Sequence, residues 1–296
     1  PSILRQTGTN GIASAIYRTS QSVSAGPDII NVTFGVLPTL QYTFNLSPDS
    51  ISYYTFVPQS GTYAAGANII LQVTGYDAFN NQATNSNRLV TLSSTAPGVN
   101  YLSANPTRLV NGTVSFTVNV TVSQSGVVFT VSDAFGKSAN TQNFTITPAV
   151  LNYLTIYSGE NRTGLIMSGR DSSITTDITL PLYAAGFDQY GNYIGDISDA
   201  AWSTTGNLVP AYTDLPGVSL FYRPTVSGRS GTITVRVPSQ PGVTGDATGT
   251  ISVSGGSASS LRITLTPGGE ELGSRTFRAG DTLTLYASQF DASNNY

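Results

Sequence analysis

Apolar and polar residues alternate just before a short polar motif that occurs three times in the chain. The alternation runs through Ile69, Leu71 and Val73, then Leu180, Leu182 and Ala184, then Leu283, Leu285 and Ala287. A period of two is typical of a half-buried strand, and a polar motif after it indicates the turn of a hairpin. We therefore predict that the leucines at 71, 182, 283 and 285, together with Val73, are buried in a β-sheet core.

The motif itself reads aromatic, Asp, two variable residues, Asn or Gly, then Asn, and it occupies residues 76–81, 187–192 and 290–295. Asn and Gly tolerate a left-handed backbone best, so their position in the turn predicts a type I turn closed by a residue with positive φ. We expect each Asp to accept backbone N–H groups inside its turn. A looser fourth copy occupies residues 133–137. The structural turn residues are therefore Asp77, Asn80, Asp133, Gly136, Asp188, Gly191, Asp291 and Asn294.

Short strands separated by turn residues follow one another along the whole chain, with no amphipathic helix between them. About seven strands per hundred residues predict an all-β fold of tandem immunoglobulin-like Greek-key β-sandwich domains. The Asp of the motif recurs at 77, 188 and 291, a mean interval of roughly 105–110 residues, which sets the length of one repeat. We predict complete domains at 39–149 and 150–256. Residues 1–38 are expected to end an earlier domain and 257–296 to begin a further one, as in a segment of a longer array.

The composition removes several classes of function. Charged residues make up 10% of the chain and the net charge is −3, against about 25% charged residues in ordinary soluble domains. The sequence has no basic patch, which argues against a nucleic-acid partner. No run of 18 apolar residues predicts a membrane span. There is neither Cys nor His, so thiol nucleophiles, disulfides and the commonest general base are absent.

Candidate catalytic and metal-binding residues are sparse. Asp and Asn are hard oxygen donors suited to calcium, but each turn supplies a single carboxylate, so we favour turn capping over a metal site. The best remaining metal candidates are Asp188, Asp196 and Asp199. Two carboxylates across a cleft would suit glycoside hydrolysis, but Glu occurs only at 160, 270 and 271. We therefore predict no catalytic residue, no cofactor and no enzymatic activity.

Two further features concern carbohydrate. Six Asn-x-Ser/Thr sequons occur, about the number that chance predicts, and they are usable only where the host glycosylates. They lie at Asn31, Asn45, Asn111, Asn119, Asn143 and Asn161. The only tryptophan, Trp202, and the many tyrosines are alternative candidates for a sugar-stacking platform. A single Trp in a sandwich more often packs in the core, which we expect here.

The opening apolar-x-apolar-x-apolar-x-Pro pattern, the Ala-Gly pair at 65–66 and the strand that ends in the Asp motif resemble bacterial immunoglobulin-like repeats of invasin and intimin type. This resemblance spans essentially the whole chain. It implies a rigid spacer, adhesin stalk or surface-layer component outside the cell.

Taken together, these features favour an extracellular structural protein that acts by self-assembly in a surface layer, sheath or filament. Its expected partners are copies of itself or other surface proteins, with glycans as a further candidate. The alternatives are the stalk of a cell-surface adhesin or carbohydrate-binding protein, and accessory modules of a secreted enzyme.

Overall fold

A computed structural model describes residue 3 and residues 5–296 of the chain, and these residues form an all-β structure. No α-helix occurs within this described part; its helical turns are the 3-10 segments Val23–Ala25 and Glu160–Arg162. The prediction of an all-β fold is therefore confirmed. The chain divides into two compact units, one ending at Thr147 and the other spanning Pro148–Tyr296.

The strands of the first unit are short and closely spaced. They are β1 (Asp28–Val32), β2 (Leu40–Phe44), β3 (Tyr53–Val57), β4 (Gly61–Ala64), β5 (Ile69–Tyr76), β6 (Leu89–Ser94), β7 (Val99–Tyr101), β8 (Thr107–Arg108), β9 (Thr113–Val120), β10 (Gln124–Val127), β11 (Phe129–Asp133), β12 (Ser138–Asn140) and β13 (Phe144–Thr147).

Strands β3 to β13 form one sandwich. One sheet has the order β3-β5-β9-β7, which is the A-B-E-D order of an immunoglobulin domain. The opposite sheet has the order β12-β11-β6-β8, and β4 runs parallel to β13 in a third, three-stranded sheet with β10. Strand β5 alternates between buried and exposed residues, as the sequence predicts, and both Leu71 and Val73 are fully buried.

The second unit contains strands β14 (Tyr153–Tyr157), β15 (Ser172–Thr175), β16 (Leu180–Phe187), β17 (Tyr193–Asp196), β18 (Ala201–Thr204), β19 (Leu215–Pro216), β20 (Ser219–Tyr222), β21 (Arg229–Gly231), β22 (Ile233–Arg236), β23 (Asp246–Ala247), β24 (Ile251–Ser254), β25 (Ala258–Thr264) and β26 (Tyr286–Asp291).

Strands β14 to β24 repeat the arrangement of the first sandwich. Strand β16 pairs with β14, β17 and β20, and a second sheet has the order β19-β18-β22-β23. Strand β15 runs parallel to β24, as β4 does to β13. The core between these sheets contains Leu182 and Trp202, both with no exposed surface. Their burial confirms the predicted strand register and the core position of the tryptophan.

Strand β2 does not stand where the sequence pattern suggested. Its residues Leu40–Phe44 pair antiparallel with β1, from Asp28 opposite Phe44 to Val32 opposite Leu40. The hairpin therefore crosses the boundary predicted between residues 38 and 39. The hairpin ends at Phe44, and Pro48 lies between it and β3, the first strand of the sandwich.

The prediction that Leu283 and Leu285 are buried is wrong. Their exposed fractions are 40% and 49%, and both precede β26 rather than lying in a strand. Within the described residues, the segment from β25 onward forms a two-stranded sheet of β25 and β26. A core side chain of a sandwich needs a second sheet above it, and none of the described strands supplies one here.

The described part of the chain contains no helix with the length and apolar character that crossing a membrane requires.

Candidate functional site

The four Asp-containing turns share one backbone conformation. The residue three positions after the Asp has positive φ in each: 65° at Asn80, 78° at Gly136, 81° at Gly191 and 66° at Asn294. These angles agree with the conformation predicted from the sequence. The second turn joins the hairpin of β16 and β17, and the fourth joins β11 and β12. The first turn is closed by a single β-bridge, which pairs Tyr76 before the turn with Gln82 after it.

In the first turn, both oxygens of the buried Asp77 carboxylate are hydrogen-bonded. Oδ1 accepts the backbone N–H groups of Phe79 at 2.8 Å and Asn81 at 2.9 Å. Oδ2 accepts the side-chain amide of Asn81 at 2.9 Å and the backbone N–H of Asp49 at 3.1 Å. Asp49 lies 28 residues earlier, between Pro48 and β3. The carboxylate therefore closes its own turn and also holds the segment that leads into the sandwich.

The second turn has the same pattern. Oδ1 of Asp188 accepts the backbone N–H groups of Tyr190 and Asn192, at 2.9 and 2.8 Å. Oδ2 accepts the side-chain amide of Asn192 and the backbone N–H of Ala149, each at 2.8 Å. Ala149 directly follows Pro148, as Asp49 follows Pro48. Asp188 has no exposed surface.

The third turn adds a side-chain donor to this pattern. Oδ1 of Asp291 accepts the backbone N–H groups of Ser293 and Asn295 at 2.9 and 2.8 Å. Its Oδ2 accepts the Asn295 amide at 2.9 Å, the backbone N–H of Gly256 at 3.0 Å and the hydroxyl of Thr176. Gly256 lies between β24 and β25, so the carboxylate again binds a segment that leads into the sheet to which its own strand belongs.

The hydrogen bonds determine the ionisation of these buried carboxyl groups. Burial alone raises the pKa of Asp77, Asp188 and Asp291, because it disfavours the charged form. Hydrogen bonds from backbone and side-chain donors favour the carboxylate and outweigh burial in all three, so the pKa of each lies below its usual value. Four or more donors converge on each carboxylate, which stays an acceptor at neutral pH.

The fourth turn differs at its last position, where Lys137 replaces the Asn. Oδ1 of Asp133 still accepts the backbone N–H groups of Phe135 and Lys137, each at 2.9 Å. Oδ2 instead accepts the Tyr54 hydroxyl at 2.7 Å and the Arg88 guanidinium at 2.8 Å. Burial raises the pKa of Asp133, but these donors lower it below its usual value overall. The turn therefore forms without an Asn at its end.

The last Asn of the first turn, Asn81, contacts a loop that is distant in sequence. Asn81 Oδ1 accepts the backbone N–H of Val23 at 3.0 Å, and its Nδ2 donates to the carbonyl oxygen of Gln21 at 2.8 Å. The sequence pattern predicts a turn position for this Asn and no contact outside the turn. The sequence signal for such a contact is the presence of Asn in the first three turns and its absence from the fourth.

The metal candidates do not converge. The Asp188 carboxylate is occupied by N–H donors as described above. Asp196 accepts the Asn161 N–H at 2.8 Å and the Tyr193 hydroxyl at 2.7 Å, and Asp199 accepts the Ser239 hydroxyl at 2.6 Å. No group of three or more Asp and Glu side chains lies together among the described residues. Each of the three therefore has a local hydrogen-bonding role.

The remaining candidates lie apart from the turns. The three glutamates are exposed, Glu160 on a 3-10 turn and Glu270 and Glu271 in the loop between β25 and β26. Trp202 has no exposed surface and donates its indole N–H to the carbonyl of Gly217 at 2.8 Å, so it offers no face to a sugar. Five sequon asparagines are exposed and one, Asn119, is half-buried on β9. The exposed ones are Asn31, Asn45, Asn111, Asn143 and Asn161.

Several solved structures of cell-surface proteins are similar to this chain. A fragment of the surface layer protein SbsC, domains 4–9, is 15% identical, with 90% of this chain and 43% of that one covered and a TM-score of 0.30. The Escherichia coli adhesin FdeC is 19% identical, with 84% and 77% covered and a TM-score of 0.43. Invasin, described as a bacterial integrin-binding protein, is 17% identical, with 88% and 50% covered and a TM-score of 0.39.

These values describe a likeness of fold. The chain spans less than half of the SbsC fragment's length. Invasin, whose repeats the sequence motifs resemble, is among the structures that match. No protein-family model matches the chain, and neither does any curated protein.

Proposed function

We propose that this chain is a structural segment of an extracellular cell-surface protein, and that its immunoglobulin-like sandwiches pack laterally against copies of themselves or other surface proteins. The assembly would be a surface layer, sheath or filament. In this proposal the chain contributes packing surfaces and has no catalytic role. Its domain limits are those predicted from the sequence, with complete domains at 39–149 and 150–256.

The supporting observation is the outer face of the sheet β3-β5-β9-β7, which carries no charged side chain. The residues that alternate with its core positions are Tyr53, Thr55, Val57, Ile70, Gln72, Thr74, Tyr76, Asn100, Ser115, Thr117 and Asn119. Ile70 and Val57 are 59% and 63% exposed, and the rings of Tyr53 and Tyr76 stack at 5.4 Å.

Such a face is suited to contact with another protein. Removing a charge from water costs far more than removing a hydroxyl or amide that finds a new partner. The centres of protein interfaces are depleted in charge and enriched in aromatic residues such as Tyr. The face therefore has a low desolvation cost and contains tyrosine rings that a second copy can pack against.

The edges of the same sandwich are also poor in charge. Strands β3, β4, β7, β10 and β12 contain no Asp, Glu, Lys or Arg, while the edge strand β8 contains Arg108. Charge is a common device against lateral strand pairing, but so is shortness, and these strands have two to five residues. We therefore assign the packing to the sheet face and not to strand addition.

A stalk of an adhesin is the second candidate. It is favoured by the hydrogen bonds that the turn carboxylates make to Asp49, Ala149 and Gly256, because these bonds tie down the segments that lead from one repeat to the next. A stalk needs this stiffness but no lateral contact. The two candidates therefore differ in whether the uncharged face binds a second copy.

Light scattering of the purified protein across protein concentration and salt separates them. We expect the average mass to rise with concentration, and to rise less in Gln72→Lys/Thr117→Lys, which places two charges on the face. The control Ala134→Lys/Asn143→Lys adds the same charge at exposed loop positions outside this sheet and should assemble like the original. A monomer under all conditions contradicts the proposal and favours the stalk. Equal loss of assembly in both variants contradicts the assignment of the packing to this face.

A further inference from the structure

The Asn that ends the motif makes the same pair of hydrogen bonds in two places. Asn81 joins the carbonyl of Gln21 and the N–H of Val23. Asn295 joins the carbonyl of Thr225, at 3.1 Å, and the N–H of Ser227, at 3.0 Å. In both cases the carbonyl belongs to a residue i and the N–H to residue i+2. The planar amide thus presents one donor and one acceptor to a stretch of backbone, as a paired strand does.

The loop that Asn295 contacts is fixed to its own sandwich. The N–H of Thr225 donates to the carbonyl of Val209 at 3.1 Å, and the N–H of Gly228 donates to the carbonyl of Val253 at 2.8 Å. This loop joins β20 to β21. A group that binds residues 225–227 is therefore tied to the body of the sandwich and not to a loose segment.

On the other side, Asn295 is fixed to the turn. Its Nδ2 also donates to both oxygens of Asp291, at 3.1 and 2.9 Å. Asp291 in turn accepts the N–H of Gly256 and the hydroxyl of Thr176, the residue after β15. The neighbouring Asp177 accepts both the N–H and the hydroxyl of Ser257, each at 3.1 Å. One continuous network thus joins the turn, the connecting segment and the preceding sandwich.

The fourth turn shows that the Asn is not required for the turn itself. Residues 133–137 make the same two Oδ1 bonds and the same positive φ with Lys137 in this place. An Asn that the turn does not need, and that bonds to a distant loop in the same way twice, has a role in that distant contact.

We propose that the terminal Asn of the motif is an interdomain clamp, which recognises a backbone carbonyl and the N–H two residues later in a loop of the preceding repeat. One such clamp joins residues 21–23 to the sandwich from β3 to β13. The other joins residues 225–227 to the segment from β25 onward. At each of these junctions the Asn fixes the orientation of successive repeats. The recognition uses backbone atoms, so the partner loop is free to vary in side chains. The inference does not depend on lateral assembly, because an isolated stalk would use the same clamp.

The clamp at Asn295 is testable by the distance between two spin labels. The chain has no Cys, so Gln240→Cys and Gln289→Cys give one exposed label on the sandwich from β14 to β24 and one on β26. We expect a narrow distance distribution in this background. Adding Asn295→Ala should broaden it at least twofold. Adding Asn294→Gly, a matched control in the same turn that keeps the left-handed conformation and contacts no other repeat, should leave it narrow.

Amide hydrogen exchange provides a second measurement in case Asn295→Ala disturbs the segment from β25 onward. In Asn295→Ala the Ser227 N–H should exchange faster, while the Gly228 N–H, which is bonded to Val253, should stay protected. Unchanged Trp202 fluorescence confirms that the sandwich is folded. An unchanged distance distribution in Asn295→Ala overturns the clamp. Equal broadening in Asn294→Gly also overturns it, because the effect would then belong to the turn.

Discussion

The Oδ2 atom of Asp188 lies 2.8 Å from the backbone nitrogen of Ala149, 39 residues earlier in the chain. The same relationship joins Asp77 to Asp49 at 3.1 Å and Asp291 to Gly256 at 3.0 Å. Asp49 lies just before β3, Ala149 just before β14 and Gly256 just before β25. The residue that shapes the turn therefore also fixes the segment that leads into the strand pairing of its own sheet.

Replacing Asp188 with asparagine should destabilise the second unit strongly, although the two side chains have nearly the same size. In Asp188→Asn, one oxygen becomes an NH₂ donor that faces N–H donors, so at least one buried N–H loses its acceptor. We expect a loss of about 2–4 kcal/mol in the free energy of unfolding, since bonds to a charged acceptor contribute about 1.5–3 kcal/mol each. Urea unfolding followed by Trp202 fluorescence measures it. Asp199→Asn, at an exposed site, should change stability by less than about 0.5 kcal/mol.

The free energy of unfolding should decrease over a defined range of acidic pH. The folded pKa values of Asp77, Asp133, Asp188 and Asp291 lie below their usual values. The unfolded chain, with Asp pKa about 3.9, therefore binds more protons as the pH falls. The stabilisation is complete above about pH 5 and is lost as the pH falls through the folded pKa values.

The measurement is denaturant unfolding at several pH values between 7 and 2. The chain has no His, so little change is expected between pH 7 and 5. The acid slope should be smaller in Asp188→Asn than in the original chain. Equal slopes in the two proteins would show that Asp188 is not among the groups responsible.

Gly191→Val should cost about 1–3 kcal/mol through backbone strain alone. Gly191 has a φ of 81°, which a β-branched residue adopts only with strain. A Cβ added here meets only the Tyr153 hydroxyl, at 3.8 Å, so the Cβ itself is not crowded. Gly191→Asn should cost clearly less, because Asn holds this conformation at Asn80 and Asn294. Chemical denaturation of both variants tests the ranking, and equal losses would assign the cost to something other than φ.

Leu182→Ala should destabilise the second unit by about 2–5 kcal/mol, because it leaves a cavity in a close-packed core. Leu182 has no exposed surface and packs in the cluster that contains Trp202. Ile178→Ala, at a residue that is 49% exposed, removes a similar side chain from the surface and should have little effect. Thermal or urea unfolding compares the two. A small loss in Leu182→Ala would contradict the register that places it inward.

The turns and most of the core could be predicted from sequence because both are local signals. The left-handed conformation of Asn80 follows from residue type, and the burial of Leu71 and Leu182 follows from a period of two. Leu283 has the same pattern, yet it is exposed because burial also requires a second sheet. Local alternation carries no information about what covers a strand.

The long-range contacts were not predictable from one copy of the motif. Asn81 reaches a loop 58 and 60 residues away, and Asn295 one 68 and 70 residues away. The atoms they bind are backbone atoms, which leave no trace in the residue types of the loop. The pairing of β2 with β1 across the predicted boundary is also non-local, and the alternation of residues 40–46 does not reveal which strand lies beside them.

Amide hydrogen exchange at Asp49, Ala149 and Gly256 tests most directly whether the repeated Asp holds each repeat's entry segment. We expect all three N–H groups to exchange slowly, although none lies within a strand. In Asp188→Asn, the Ala149 N–H should exchange much faster, while the Asp49 N–H in the other unit stays protected. Exchange of all three at the rate of an unstructured chain, or an unchanged rate at Ala149 in the variant, would contradict the account.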